Sequence, residues 1–284
     1  MKETSLLAET RRRLRQLDLR ARKRLGQHFL VDRQVLQQIL TAAELAAGDT
    51  VLEIGPGLGI LTGELAKKAG RVIAVELDDG LASLLKQEMA ALPNVTIIND
   101  DILKIDPANV APKTDKYKVV ANLPYYITSP VLRHFLEATK KPHLMVVMVQ
   151  KEVAETIAAG PGKRSLLSIS VQFYGRPAII SQVPASAFYP APEVDSAILR
   201  IELYPEPAVA VDNVQGFFTT VRAGFVNPRK QLINSLTQGL GLPKADITNL
   251  LVEADIAPQR RAETLTLEEW AQLYQVYSKW KKAA

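Results

Sequence analysis

Thr50-Val51-Leu52-Glu53-Ile54-Gly55-Pro56-Gly57-Leu58-Gly59 is the stretch that decides the fold of this 284-residue chain. Its first half is a short run of apolar and β-branched residues, which predicts a buried strand. Its second half places three glycines before a helical stretch that runs from about Leu58 to Ala69. A glycine turn between a strand and a helix lets a ligand approach the backbone and directs helix N–H groups at it. The spacing is G-x-G-x-G, and Ile60 stands where a dinucleotide fingerprint requires its third glycine.

A second strand-like run, from Arg71 to Val75, ends at the acidic residue Glu76. A carboxylate about 20 residues after such a glycine loop accepts hydrogen bonds from ribose hydroxyls. The glycine loop and Glu76 together therefore indicate a cofactor that contains a nucleoside. The alternative is that Glu76 is only a solvated strand end.

A third run, from Asn94 to Ile98, is followed by Asn99 and two aspartates, Asp100 and Asp101. Either aspartate is a candidate acceptor for the adenine amine of that cofactor. The alternative interpretation is an aspartate that caps a turn.

The fourth strand is predicted in Val119-Val120-Ala121 and stops abruptly at Asn122-Leu123-Pro124-Tyr125-Tyr126. Proline has no N–H to donate to a sheet, so the strand is expected to end before Pro124. An amide side chain, a rigid turn and two aromatic rings then lie close together at the end of the strand. Asn-Leu-Pro-Tyr resembles the Asn/Asp-Pro-Pro-Tyr/Phe signature of methyltransferases that modify an exocyclic amine of a base. This resemblance implies that the amide oxygen of Asn122 and the carbonyl of Leu123 accept the hydrogens of such an amine. Tyr125 is a candidate to stack on the base that carries the amine. The alternative is an ordinary proline turn with tyrosines in the core.

The loop from Ala187 to Ser196 is held extended by Pro190 and Pro192. Phe188 in this loop is a candidate for the second face of an aromatic clamp on a flipped base. A phenylalanine that plugs the core is the competing interpretation.

Strands and helices alternate along the first two thirds of the chain, which predicts an α/β fold with a mostly parallel sheet and helices on both faces. Three later runs, 166–174, 178–183 and 196–203, are expected to add strands, and the last pair is expected to make one edge antiparallel. After the linker at 204–207 the pattern becomes helical. We therefore expect a basic arm at 1–24, a catalytic domain at 25–205 and a small all-α domain at 206–284.

Three cations in the helical region, Arg222, Arg229 and Lys230, flank Asn227-Pro228. Asn227 is expected to cap a helix that has Pro228 at its first position. Cations in the first turn of a helix oppose its dipole, so this placement favours an anionic partner such as RNA phosphate over plain solvation.

Composition narrows the class of protein. The absence of cysteine excludes disulfides, thiolate metal sites and a cysteine nucleophile, and the three histidines are too scattered to predict a metal site. No apolar run has the length of a transmembrane span or a signal peptide, so we expect a cytoplasmic protein. The net charge is +5, and residues 1–24 carry nine Lys and Arg residues against three acidic ones, as an arm for a polyanion would. A solvated helix and a targeting peptide are the alternatives for this arm.

These motifs, and their order along the chain, closely resemble those of the ribosomal RNA adenine N6,N6-dimethyltransferase family. The similar segments are 26–30, 53–59, Glu76, Asp101, 122–126, 188–196 and 229–236. Bacterial members of that family dimethylate two adjacent adenosines near the 3′ end of 16S rRNA during small-subunit biogenesis. The resemblance implies a Rossmann-like methyltransferase fold with S-adenosylmethionine as methyl donor and a ribosomal RNA or particle as partner. Apart from the resemblance, we expect no metal and a monomer. The resemblance also implies catalytic roles for Asn122, Leu123, Pro124, Tyr125 and Phe188, and cofactor contacts at His28, Leu30, Gly55, Gly57, Glu76, Asp101 and Asn122.

Three rival functions are weighed against this one. The first is dimethylation of a large-subunit adenosine, because those enzymes share the glycine loop and the Asn-Leu-Pro-Tyr turn. The second is a non-catalytic assembly factor or transcription accessory, which would have no need of the combined Gly55, Glu76 and Asn122 set. The third is an NAD oxidoreductase, which the glycine spacing and the lack of a hydride-transfer site disfavour.

Overall fold

The structure is a computed structural model that describes residues 5–16, 27–110 and 116–283. It contains two compact units. The first comprises Met1–Ala154 and Arg176–Leu203, and the second comprises Glu155–Gly175 and Tyr204–Ala284. The expected domain boundary at residue 205 lies close to the Leu203–Tyr204 junction. Glu155–Gly175, by contrast, belong with the C-terminal segment rather than with the sheet.

The first unit is built on a sheet of seven strands. The strands in chain order are β1 (Phe29–Leu30), β2 (Thr50–Ile54), β3 (Arg71–Glu76), β4 (Val95–Asn99), β5 (Lys118–Asn122), β6 (Leu144–Gln150), β7 (Gly175–Val183), β8 (Phe188–Tyr189) and β9 (Ser196–Leu203). Across the sheet the order is β4-β3-β2-β5-β6-β9-β7, and β1 pairs separately with β8. Strands β2 to β6 run parallel, whereas β9 pairs antiparallel with β6.

Helices flank this sheet, as the alternating pattern predicted. They are α1 (Leu6–Gln16), α2 (Arg33–Ala43), α3 (Ile60–Ala66), α4 (Asp79–Glu88), α5 (Pro107–Val110) and α6 (Thr128–Leu136), and α7 (Lys151–Ala158) leads into the second unit. Helix α2 begins where the Asp32 side chain accepts the N–H groups of Gln34 and Val35, which satisfies two of the donors that a helix start leaves open. The predicted α/β class with a mostly parallel sheet is confirmed.

The central strands explain why the sheet is stable and where its site lies. Strand β6 is buried along all but its last residue, and β5 along all but Asn122. Such nearly continuous apolar strands are typical of a parallel sheet covered on both faces. Because β2, β3 and β5 are parallel neighbours, the residues that follow them meet at one edge.

The second unit is helical. Besides the end of α7 it contains α8 (Leu166–Tyr174), α9 (Val214–Gly224), α10 (Leu232–Leu240), α11 (Lys244–Glu253) and α12 (Leu267–Ala283). Its core is aromatic: the Phe173 ring lies 4.9 Å from that of Phe217 and 5.1 Å from that of Phe218, measured between centroids.

The strand expected at 166–174 is wrong, because this segment is helix α8. A short apolar run fits a buried helix as well as a buried strand, so periodicity could not decide between them. Ser165 caps the helix: its hydroxyl accepts the N–H of Ser168, and the Ser168 hydroxyl accepts the N–H of Ser165. This helix is buried within the second unit, and a buried helix carries apolar residues on most of its sides.

The helix start expected at Asn227-Pro228 is also wrong. Asn227 donates its side-chain amide to Gln238 and its carbonyl accepts the N–H of Lys230, so it closes a turn rather than caps a helix. Helix α10 begins at Leu232, whose N–H donates to the carbonyl of Arg260. Arg229 and Lys230 therefore precede the helix, and the argument from an opposed dipole in its first turn no longer holds.

Among the residues that the structure describes, none of the helices combines the length and the apolar character that a membrane span requires.

Candidate active site

A cavity of about 270 Å³ opens at the carboxyl ends of β2, β3 and β5. It brings together most of the site residues predicted from the sequence, including His28 and Leu30. Its walls come from residues 27–30, 53–58, 60–61, 75–77, 81, 100–103 and 122–127. This is the position at which open α/β sheets bind their ligands.

The glycine loop forms one wall of the cavity. Gly55, Gly57 and Gly59 have φ angles of 65°, 58° and 75°, a left-handed conformation that side chains disfavour. A Cβ atom on Gly57 would also lie only 3.1 Å from the ring of Phe29. The loop therefore needs glycine at Gly57 for both its backbone conformation and its space.

Glu76 ties the end of β3 to this loop. One carboxylate oxygen accepts the Gly57 N–H at 3.0 Å and the other accepts the Asp78 N–H at 2.9 Å. Burial raises the pKa of Glu76 and the charge of Asp78 adds to the rise, whereas hydrogen bonds from the backbone, those of Asp78 and Gly57 foremost, oppose it. Because a carboxylate oxygen has two lone-pair sites, each oxygen keeps one for a ligand hydroxyl.

Glu53, the buried acid of β2, was not predicted as a site residue. Its side chain is only 1% exposed and lines the cavity, and its Oε2 atom has no hydrogen-bond partner among the described residues. Burial raises the pKa of Glu53 to about 8; the neighbouring Thr62 hydroxyl opposes this rise, and the charge of Glu76 adds to it. The available signal was an acid within an otherwise apolar strand.

Asp100 and Asp101 both line the cavity on the side of β4. Asp101 accepts the Leu103 N–H at 3.0 Å and so caps a short 3₁₀ turn, as the capping interpretation expects. This bond uses one carboxylate oxygen of Asp101 and leaves the other for a ligand. Asp100 is exposed, and it accepts the Asp101 N–H at 2.7 Å.

Asn122 ends β5 at the rim of the cavity. Its Nδ2 donates to the backbone carbonyl of His28 at 3.0 Å. That bond fixes which way the amide faces, because the nitrogen is held on the protein side. The oxygen, Oδ1, accepts no hydrogen bond from the residues that the structure describes, so an unused acceptor is left at the cavity.

The turn that follows Asn122 faces the glycine loop. Leu123 as a whole is only 2% exposed, and it is among the residues that line the cavity. The Pro124 ring lies 3.7 Å from the point where Gly55 would carry a Cβ. The catalytic candidates of this turn, Asn122 to Tyr125, and the glycine loop are thus neighbours in one cavity.

Tyr125 is half-buried and held from two sides. Its hydroxyl shares a hydrogen bond of 2.7 Å with Ser196, and its ring stacks on His28 with centroids 5.9 Å apart. Burial raises the pKa of the Tyr125 phenol, which therefore stays protonated at neutral pH. The His28 ring is itself anchored, since Nδ1 lies 2.7 Å from the carbonyl of Pro190.

Phe188 requires a correction. Strand β8 pairs Phe188 with Leu30 of β1, and the Phe188 ring is 4% exposed within the main apolar core. It is not among the residues that line the cavity. The structure thus has Phe188 as a core side chain, the competing interpretation, and offers no face of it to a base.

Sequence reasoning also missed two apolar side chains at the cavity mouth. Tyr126 is 54% exposed and Leu77 is 48% exposed, although both line the cavity. Their signal was their position directly after Tyr125 and Glu76.

The three basic candidates of the second unit, Arg222, Arg229 and Lys230, are all exposed. Within residues 5–16, 27–110 and 116–283, no three acidic or histidine side chains are grouped in a way that could hold a metal ion.

The comparison with known proteins agrees with this geometry. The family model described as ribosomal RNA adenine dimethylase matches residues 18–279. A protein of Dehalococcoides mccartyi named ribosomal RNA small subunit methyltransferase A is 54% identical over 96% of this chain and 94% of its own length. A protein of the same name from Pelotomaculum thermopropionicum is 45% identical, with 94% of each chain covered.

Two solved structures are similar over most of their length. A dimethyladenosine transferase from Plasmodium falciparum has a TM-score of 0.75 and 27% identity, with 89% of this chain and 98% of the other covered. The 23S rRNA methyltransferase ErmE has a TM-score of 0.69 and 28% identity, with 88% and 99% covered. With a family model over nearly the whole chain and relatives at this identity, the chain belongs to the ribosomal RNA adenine dimethylase family.

Proposed function

We propose that this chain transfers methyl groups from S-adenosylmethionine to N6 of two adjacent adenosines near the 3′ end of 16S rRNA, and dimethylates each. The observation that carries the proposal is the orientation of Asn122. Its amide nitrogen is held by the His28 carbonyl, so its unused oxygen remains available at a cavity walled by a glycine loop.

The hydrogen-bond acceptors that line the cavity suit the polar groups of S-adenosylmethionine. Glu76 keeps an acceptor site on each oxygen for the two ribose hydroxyls, and Asp101 keeps one oxygen for the adenine amine. The unpartnered Oε2 of Glu53 is a buried polar atom that a polar end of a ligand would satisfy. The left-handed glycines let the ligand approach the loop backbone. When bound, S-adenosylmethionine supplies a methyl group on a positively charged sulfur, which is an electrophile for a neutral amine.

The residues of the turn prepare that amine. An adenine N6 amine is a poor nucleophile because its lone pair is delocalised into the ring. The Asn122 Oδ1 and the Leu123 carbonyl accept its two hydrogens, which draws the nitrogen toward tetrahedral geometry and frees the lone pair. Pro124 contributes no competing N–H. Catalysis by these residues is positioning and electrostatics rather than proton abstraction.

The role of Tyr125 is to stack on the target adenine and not to transfer a proton. Its phenol is protonated and occupied by Ser196, so it is a poor candidate for a general base. One face of its ring carries His28, and the other is the face on which a flipped adenine stacks. Stacking of this kind contributes roughly 1–3 kcal/mol per base.

The small-subunit substrate is favoured over the large-subunit one by the curated relatives. Those 40–54% identical to this chain are named ribosomal RNA small subunit methyltransferase A, whereas ErmE is 28% identical. A further support is the set of exposed cations, Arg222, Arg229 and Lys230 in the second unit and Arg11, Arg12 and Arg15 on α1. Exposed cations bind RNA phosphate without reading sequence.

One experiment tests this function. Purified enzyme is incubated with labelled S-adenosylmethionine and, separately, with small and large ribosomal subunits from cells that lack the activity. Mapping of the labelled bases is expected to find N6,N6-dimethyladenosine at two adjacent positions near the 3′ end of 16S rRNA. Label in 23S rRNA would support the large-subunit alternative. No transfer, together with no binding of S-adenosylmethionine in calorimetry, would support a non-catalytic assembly factor.

A further inference from the structure

Helix α1 packs one of its faces against the rest of the first unit. Leu6, Thr10 and Leu14 are buried, at 7%, 0% and 7% exposure, although the helix carries four arginines. These buried positions are four residues apart, the spacing of one face of a helix. The helix is therefore docked through a specific face rather than only tethered at its end.

Arg13 joins α1 to the glycine loop. Its Nη1 donates to the backbone carbonyl of Leu58 at 2.9 Å, and its Nη2 forms an ion pair with Glu88, the last residue of α4. The Arg13 side chain is only 17% exposed. Hydrogen bonds from a charged donor are stronger than those between neutral groups. The guanidinium group is planar and rigid, so its two nitrogens hold the Leu58 and Glu88 contacts in a fixed relative geometry.

Leu14 adds an apolar contact to the same place. It forms a small buried cluster with Phe29, Leu58 and Leu81, separate from the main core. Each of these three partners also lines the cavity. Arg13 and Leu14 thus contact Leu58 and its cluster, whose residues Phe29, Leu58 and Leu81 also line the cavity.

The glycine loop has reason to need such support. Glycine loses more conformational freedom on ordering than any other residue, and this loop contains three glycines in five residues. A loop that is already held in its bound conformation binds its ligand more tightly, because less ordering entropy is lost at binding. Helix α1 precedes residue 18, where the match to the family model begins.

We propose that α1 is a positioning element for the cofactor loop, in which Arg13 holds the Leu58 carbonyl and so fixes the loop in its ligand-binding conformation. The identity of the ligand rests on the function proposed above. The effect on the loop does not, since it is a property of the free protein.

The test compares Arg13→Ala with Arg133→Ala in the full chain. Arg133 lies on α6 in an exposed ion pair with Glu137 at 3.2 Å, so the control also removes an arginine and a carboxylate contact. Calorimetry is expected to find binding of S-adenosylmethionine weakened about tenfold by Arg13→Ala and unchanged by the control. The KM for the cofactor is expected to rise by a similar factor while kcat stays within about twofold.

A second readout needs no ligand. The Gly59 N–H donates to the Pro56 carbonyl at 2.9 Å, so its hydrogen exchange reports opening of the loop. Exchange at Gly59 is expected to accelerate in Arg13→Ala and not in Arg133→Ala. Arg13→Lys, which keeps the charge but not the fork, is expected to lie between the wild type and Arg13→Ala.

The outcomes separate the two proposals. If the wild type binds S-adenosylmethionine and Arg13→Ala binds it equally well with equal exchange at Gly59, the role of α1 is refuted and the proposed function stands. If the wild type binds no S-adenosylmethionine but exchange at Gly59 still accelerates in Arg13→Ala, the proposed function fails and the role of α1 stands. Should Arg13→Ala unfold, Arg13→Met keeps the aliphatic stem of the side chain and removes every donor to the Leu58 carbonyl, and unchanged exchange at Gly59 in that variant would refute the role.

Discussion

At the scale of single residues, the site depends on polar atoms that the protein leaves without a partner. Asn122 and Glu53 each present an oxygen at the cavity that accepts no hydrogen bond from the described residues. The Glu53 oxygen is buried, and a buried polar atom without a partner costs free energy, so it is expected where a ligand supplies the missing bond. The Asn122 oxygen could be anticipated from its motif. For the Glu53 oxygen the sequence signal was only an acid within an otherwise apolar strand, and the packing around β2 was needed to show that the acid is enclosed.

Glu53 predicts a pH dependence of stability. Burial holds its folded-state pKa at about 8, above the ordinary value of 4.5, so the folded chain retains a proton that the unfolded chain releases. The free energy of unfolding is therefore expected to fall as pH rises from 5 to 8. Glu53→Gln cannot titrate and should lose roughly 2–4 kcal/mol less than the wild type over that range. Urea denaturation of both proteins without ligand checks this, and parallel curves would show that Glu53 is ionised in the fold.

Tyr125 gives a second prediction at this scale. Tyr125→Ala removes the stacking surface and should lower kcat/KM for RNA by roughly 5- to 150-fold, which corresponds to 1–3 kcal/mol. Tyr125→Phe keeps the ring and loses only the bond to Ser196, so it should stay within about tenfold of the wild type. Steady-state kinetics with ribosomal subunits as substrate measures kcat/KM for both variants. Equal losses in the two variants would assign the role of Tyr125 to its hydroxyl instead of its ring.

At the scale of elements, helix α8 tests the account of how local sequence selects structure. Ser165→Ala removes the capping box at its start and should lower the free energy of unfolding by about 1 kcal/mol. Ser186→Ala, an exposed serine in the loop before β8, is the matched control and should change stability by less than about 0.5 kcal/mol. Denaturant melts measure both, and an unchanged stability in Ser165→Ala would mean that the helix does not depend on its cap.

The elements that were predicted correctly from the sequence are those whose local pattern is compatible with only one type of structure. The glycine loop between β2 and α3, the acid that ends β3 and the Asn-Leu-Pro-Tyr turn after β5 all fall where expected. Segment 166–174 was misassigned because its apolar run suits a buried helix and a buried strand alike. Phe188 was uncertain for a similar reason, since only its pairing with Leu30 turns the ring into the core. The contact of Arg13 with Leu58 joins residues 45 apart in sequence and leaves no local pattern to read.

At the scale of the whole molecule, positive charge is expected to govern RNA affinity. Replacing Arg222, Arg229 and Lys230 together by alanine should raise the KM for ribosomal subunits and reduce the slope of log K against log salt by roughly 2–3. Binding of S-adenosylmethionine should not change, because none of the three lines the cavity. Filter binding over a salt series measures the slope. An unchanged slope would remove these three cations from the RNA-binding surface.

Single-turnover methylation at saturating S-adenosylmethionine measures how much the Asn122 oxygen contributes to the rate. Asn122→Ala is compared with Asn109→Ala, which removes an exposed amide that lies outside the cavity. The rate is expected to fall about 10²–10³-fold in Asn122→Ala and to stay at the wild-type value in the control. A rate within about threefold of the wild type in Asn122→Ala would contradict this expectation, because an enzyme that relies on this oxygen to orient the amine cannot lose it without cost.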